Sequence, residues 1–339
     1  MKKIIMLIKE KQLFCFFLLT YLLSWIVWFM TPVLSNDIQI QNLFIYIGFY
    51  GPAVSAVIIA GTLGLNNQPA PTLRYWITYA ASFLVVFAVN YLSMDVFQIP
   101  KNSNSIMLMA AIALLAALVL SGPVSKNRGI RRLLLYIKKA KVHWKWHIIA
   151  LLGVPLLTLL SLFIDLILGG QLDGKFFNEP LYIEIYNRII IYLAIFIYGN
   201  AALGQEPGWR GFALHRLLTK FNPLLASVIV GAIWTLWHAP LYLIGFYEGG
   251  VAALLVRFLW NIPLAIPFTW IYMKTQGSLL HVALFNTAVN TLGLFVPITM
   301  RSATIFIILS VICMIAITVE NRLWTKRETL TPFRSKKVF

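Results

Sequence analysis

Long apolar runs alternate with short polar connections along almost the whole chain. About twenty apolar residues make a helix long enough to cross a bilayer. The runs fall at 13–34, 43–65, 75–97, 106–120, 148–168, 224–244, 252–273, 279–297 and 305–319. A further run covers 189–203, is broken by a polar cluster, and resumes over 212–221. The pattern predicts an all-α fold: a polytopic transmembrane helical bundle of about ten spans, a single integral membrane domain over 1–339. The first run follows the basic start MKKIIMLIKEKQ. It is read as an uncleaved span, because it is long and no small-x-small cleavage site follows it.

Composition strengthens this reading. Of 339 residues 60% are hydrophobic and 12% charged, against about 45–50% and about 25% in soluble domains. The net charge of +17 lies mostly at the ends of apolar runs. That is a topology signal, and it excludes nucleic acid as a partner. Placing both termini in the cytoplasm puts the N-terminal lysines, Arg74, the 126–145 stretch, Lys220, Lys274 and the basic tail 321–339 inside. Lys101, Lys175 and Arg301 then fall outside, with Asp37, Asp173, Glu179 and Glu248. The expected localisation is therefore the cell membrane, multi-pass. The basic stretch 126–145, with Leu133, Leu134, Tyr136 and Ile137 among its charges, is expected to form an amphipathic helix on an anionic leaflet. Cys15 and Cys313 sit inside apolar runs and imply no disulfide framework.

Ionisable groups at membrane depth mark function by default. The densest cluster is Gln205-Glu206-Pro207-Gly208-Trp209-Arg210. Glu206 and Arg210 are four apart, acid first, so they share a helix face. Trp234 with His238 and Asn286 with Asn290 repeat that spacing. The climb from Lys220 back to Glu206, from Asn222 to His238 and from Gly277 to Asn290 is roughly 20–24 Å in each case. The three patterns therefore meet at one depth, provided that 189–220 is one long helix kinked near Pro207-Gly208. Asp165, Asn200, Arg257, Asn261 and His281 are further polar residues within the runs. Asp165, Arg257 and Asn261 have no evident partner, and Arg257 is expected to snorkel outward. Trp209, Trp234 and Trp237 are read as packing, and His143 and His147 as interface anchors.

These residues resemble the CAAX protease and bacteriocin-processing (CPBP, or Abi) family of intramembrane proteases, whose motifs are Glu-Glu-x-x-x-Arg, Phe/Trp-x-x-x-His and His-x-x-x-Asn. Gln205 to Arg210 match the first, Trp234 to His238 the second, and Asn286 to Asn290 the third. The similarity implies an eight-helix core, here 13–65 and 125–320, plus a two-span insert at about 66–124. It implies a peptide or membrane-protein substrate and hydrolysis inside the lipid bilayer. In the family the first Glu activates water with the motif-two His. The motif-three His and Asn stabilise the oxyanion, and the second Glu pairs with the Arg. The implied site is therefore Gln205, Glu206, Arg210, His238, Asn286 and Asn290.

Two positions depart from the pattern. Gln205 stands where the family has its general base, and an amide cannot take up a proton. Asn286 stands where the family has His, although an amide still donates hydrogen bonds. No cofactor is expected: Glu206 and His238 are the only good metal ligands, and catalytic zinc uses three. Two readings follow, an endopeptidase of impaired activity, or a catalytically silent relative that binds peptides or confers bacteriocin immunity. A transporter is disfavoured, because no inverted repeat is visible.

Overall fold

The computed structural model describes residues 2–64, 70–138, 142–171, 179–198, 202–295 and 299–326. Asn200, Lys175, Asp173, part of the 66–74 turn and residues 327–339 of the basic tail lie outside them. The described chain is helical: α1 (Lys2–Glu10), α2 (Gln12–Leu34), α3 (Ile38–Gly48), α4 (Gly51–Leu63), α5 (Leu73–Val96), α6 (Ser103–Ser121), α7 (Arg128–Leu134), α8 (Lys145–Ile167) and α9 (Leu181–Ile197). A π-helical segment, Pro207–Leu214, precedes α10 (His215–Lys220), α11 (Pro223–Trp237), α12 (Ala239–Leu243), α13 (Gly250–Lys274), α14 (Leu279–Phe295) and α15 (Met300–Glu320). Among the described residues eight helical stretches are long and apolar enough to cross a membrane. The other two expected runs are α14, with 17 residues, and the sixth run, which is split.

That split corrects the expectation of one long helix over 189–220. α9 stops at Ile197, and the chain turns through 202–206 before the π-helix begins. Main-chain bonds from Leu203 N to Phe196 O and from Glu206 N to Ala202 O define the turn. The second run is also two helices, because Pro52 sits in the first turn of α4, where its missing N–H is no loss. The first N–H groups of a helix lack intrahelical partners. In α4, that of Ala53 donates to Gly204 O at 2.9 Å. The proline break thus ties α4 to the turn that carries the polar cluster. α2 clamps α3, which follows it, by two bonds, Ser24 Oγ to Gly48 O at 2.8 Å and Trp28 Nε1 to Ile45 O at 3.0 Å.

The core surrounds the π-helix. Trp209 and Phe212 pack with Phe16, and Trp209 meets Trp237 edge-on at 5.5 Å. α11 lies along α13, and α14 lies between α8 and α9. The insert helices α5 and α6 pair with each other through Asn90 Nδ2 to Met109 O at 3.0 Å. They rest on α9 and α3, and Ser93 bonds the Tyr198 hydroxyl beyond α9.

The basic stretch differs from its expectation. Its helix is one short piece, α7, followed by a single 3₁₀ turn, Leu135–Lys138. Leu133 and Leu134 are buried against the bundle, while Arg128, Arg131 and Arg132 are exposed. Gly122 and Gly211 lie under these two leucines. The apolar side of the stretch therefore meets protein rather than lipid. His147 likewise has a protein partner, the ring of buried His281, at 4.4 Å.

Candidate active site

The polar cluster is buried by the geometry of its segment. Pro207 occupies the first helical turn, and Gly208 lies against α4 so closely that a Cβ there would meet Pro52 O at 2.5 Å. The segment closes with a wide turn, His215 N–H donating to Arg210 O five residues back. Such π turns are rare and often mark functional sites. Gln205, Glu206 and Arg210 all end within 1% exposure, which makes their partners decisive.

Glu206 Oε1 accepts from Arg210 Nη1 at 3.0 Å and from Asn286 Nδ2 at 2.5 Å. The guanidinium lies 4.0 Å from the Phe268 ring centre and 4.9 Å from that of Trp234, a favourable cation–π setting when desolvated. Glu206 Oε2 and Arg210 Nη2 have no hydrogen-bond partner among the described residues. Gln205 points the other way: its Oε1 accepts from Trp234 Nε1 at 2.9 Å. Asn290 Nδ2 donates to the Asn286 main-chain and side-chain oxygens at 2.9 and 2.8 Å.

His238 sits at the break between α11 and α12, where Pro240 lacks the N–H to continue the ladder. Its Nδ1 lies 2.8 Å from Trp234 O. A carbonyl only accepts, so Nδ1 carries the proton and Nε2 keeps its lone pair. The ring is fixed by Trp237, Trp234 and Phe49. His238 and Asn290 share a cavity of about 340 Å³ with Trp234, Tyr242, Arg257 and Asn261.

The three sequence patterns therefore do converge, with two differences. Glu206 meets Asn286 and Arg210, while His238 and Asn290 line the neighbouring cavity. Trp234, read from sequence as packing, also holds Gln205. A buried indole N–H usually finds an acceptor, and that rule is the signal that could have found this contact. Arg257, expected to snorkel outward, instead bonds the Tyr242 hydroxyl at 3.1 Å beside the cavity. Asp165 proves to be paired, with Arg301 and with Thr299 Oγ1. Among the described residues no group of three or more His, Cys, Asp and Glu gathers as metal ligands.

A polytopic helical bundle with a carboxylate, a guanidinium, an imidazole and amides gathered at its centre has the character of an intramembrane hydrolase. Residues 187–292 match the family described as Type II CAAX prenyl endopeptidase Rce1-like. The chain is also 24% identical over 231 residues to the CAAX prenyl protease 2 of Methanococcus maripaludis, covering 65% of this chain and 82% of that relative. The chain is thus similar to the CAAX protease (CPBP) family and is a relative of the CAAX-type intramembrane endopeptidases.

Proposed function

We propose that the chain is a slow intramembrane endopeptidase that cuts a peptide or the end of a membrane protein at the cytoplasmic membrane. His238 acts as the proton acceptor. The observation that carries this is the fixed tautomer of His238, a residue that lines the cavity and keeps its Nε2 lone pair. Glu206 is assigned a supporting role, because its Oε1 already holds both Arg210 and Asn286. It holds Arg210 and Asn286 in place. Gln205 orients a water by hydrogen bonding without taking its proton, and this accounts for a low rate. Asn290, on releasing one of its two Nδ2 bonds to Asn286, donates toward the developing oxyanion. Both termini face the cytoplasm in this reading, which rests on the distribution of basic residues.

A second reading has its own support. With Gln205 Oε1 held by Trp234 and Glu206 held by its neighbours, the same scaffold can bind peptides without cutting them. One experiment separates the two. The purified protein, Gln205→Glu, Asn286→His, the double variant and His238→Gln are incubated in proteoliposomes with a peptide library, and products are read by mass spectrometry. The protease reading expects slow cleavage by the starting protein, faster cleavage by Gln205→Glu, and none by His238→Gln. Binding without cleavage, unchanged in the double variant, establishes the silent relative instead.

A further inference from the structure

A second cavity, away from the hydrolytic residues, has a volume of about 570 Å³. It lies between the C-terminal end of α4, α7, and the π-helix with α10. α7 is fixed as its wall on two sides. Asn127, at the start of α7, donates from Nδ2 to Gly61 O at 3.0 Å, and Gly129 lies so close to Ala60 O that no Cβ would fit. Leu133 seats the other side of α7 against Gly211. Arg128 and Arg132 are four residues apart and share a helix face. Both line the cavity.

Arg216 of α10 lines it from the facing element. Its Nε donates to Gln12 Oε1 at 2.8 Å and its Nη1 to Phe212 O at 3.1 Å. The guanidinium carbon lies 3.5 Å from the Phe212 ring centre. Neutral partners thus fix its direction and leave its charge uncompensated. Among the described lining residues none is acidic, and among the described residues no carboxylate pairs with Arg128, Arg132 or Arg216. Glu10 lines an adjoining cavity, where Lys11 and Lys220 accompany it.

Three guanidinium groups around one concave wall repel each other and focus a positive potential into it. An anion that accepts from several donors at once relieves both. A phosphate group does so, because its oxygens match the planar fork of arginine. Basic pockets between membrane helices hold phosphate head groups in this way. The volume falls within the range of small-ligand pockets, about 300–1,000 Å³. We propose that this cavity is a site for one phosphate group, carried by an anionic lipid or free in solution, held between Arg128 and Arg132 of α7 and Arg216 of α10. The site turns the general attraction of a basic stretch for anions into a single contact of fixed stoichiometry. It is independent of the roles given to Gln205 and His238.

The test uses the full chain in nanodiscs of phosphatidylcholine with a minor share of phosphatidylglycerol. Salt is held at about 0.15 M, where the Debye length is about 8 Å and distant exposed charges are screened. Lipids retained on the chain are counted by native mass spectrometry. One phosphatidylglycerol per chain is expected, enriched about tenfold or more over its share in the disc. Arg128→Gln with Arg132→Gln abolishes the enrichment, as does Arg216→Gln, and Arg128→Lys with Arg132→Lys keeps part of it. Arg74→Gln with Lys274→Gln removes two exposed charges outside the cavity and should change the enrichment less than about twofold. Thermal unfolding checks that each variant folds. Arg128 and Arg132 are exposed, so their double variant carries the test if Arg216→Gln does not fold. A second arm adds inorganic phosphate to the protein in neutral detergent. A rise in the thermal midpoint, absent in the Arg128→Gln, Arg132→Gln variant, supports the site with free phosphate as its occupant. Enrichment of phosphatidylglycerol without that rise supports it with a lipid head group. Neither effect, several equivalent lipids per chain, or an equal loss in the Arg74→Gln, Lys274→Gln variant overturns the proposal.

Discussion

Glu206 and Arg210 are each about 1% exposed in their side chains and meet at 3.0 Å. Two physical pictures of this contact differ several-fold in energy. Interhelical hydrogen bonds in a bilayer average about 0.6 kcal/mol, because the separated helices find other partners. Removing one partner of a buried ion pair costs about 3–5 kcal/mol, because the other charge is stranded. Glu206→Gln keeps the shape and the acceptor oxygen, so the bond from Asn286 survives while the guanidinium loses its counter-charge between Phe268 and Trp234. The contact uses one nitrogen and one oxygen, leaving Arg210 Nη2 and Glu206 Oε2 unbonded among the described residues. That single-bond geometry places the expected cost at the lower end, about 3 kcal/mol. Arg210→Met removes the cation in turn, and the double variant leaves no charge to strand. A double-mutant cycle by reversible unfolding in bicelles should give a coupling energy of about 3 kcal/mol. A value below about 1 kcal/mol, at the level of ordinary interhelical bonds, refutes the ion-pair account of this site.

Gly208→Ala places a Cβ against the Pro52 main chain at 2.5 Å, where backbone has no room to give. It should cost at least the upper part of the overpacking range, about 3 kcal/mol, and lower the thermal midpoint in detergent. Gly153→Ala, whose Cβ meets nothing nearer than 3.9 Å, should leave that midpoint unchanged or raised. Trp234→Phe removes the donor to Gln205 Oε1 and should cost about 1–3 kcal/mol. In a Gln205→Met background, where no acceptor is left stranded, the same change should cost much less.

The sequence carries the outline of this fold because apolar run length and basic-residue placement are local signals. The all-α bundle and its apolar runs were legible for that reason. The three polar patterns were legible because spacing of four residues and equal climb from the helix ends are properties of regular helices. What failed was the assumption that the helix runs on regularly through 202–206. There the geometry is set by a distant donor, the N–H of Ala53, and by the close approach of Gly208 to Pro52. Neither contact leaves a trace in local hydropathy. Arg257 was misjudged for a similar reason. Its depth suggested an escape to solvent, but Tyr242 and Tyr247 reach it across the turn that follows α12. The burial of Leu133 and Leu134 came from Gly122 and Gly211 opposite them, tertiary contacts that leave no mark in local hydropathy.

The π-helical segment has one more consequence. A π turn is in effect an α-helix that has taken in one extra residue, and each residue of an α-helix accounts for about 100° of rotation. Between Pro207 and Leu214 the chain therefore changes phase. Glu206, just before it, and Arg210, in its first half, are turned toward α14 and α11. Leu214, Leu217 and Leu218 on its downstream side are buried in the core. An uninterrupted α-helix would offer one angular setting for both tasks. The extra residue works as a vernier, letting one span aim its charges and seat its leucines independently.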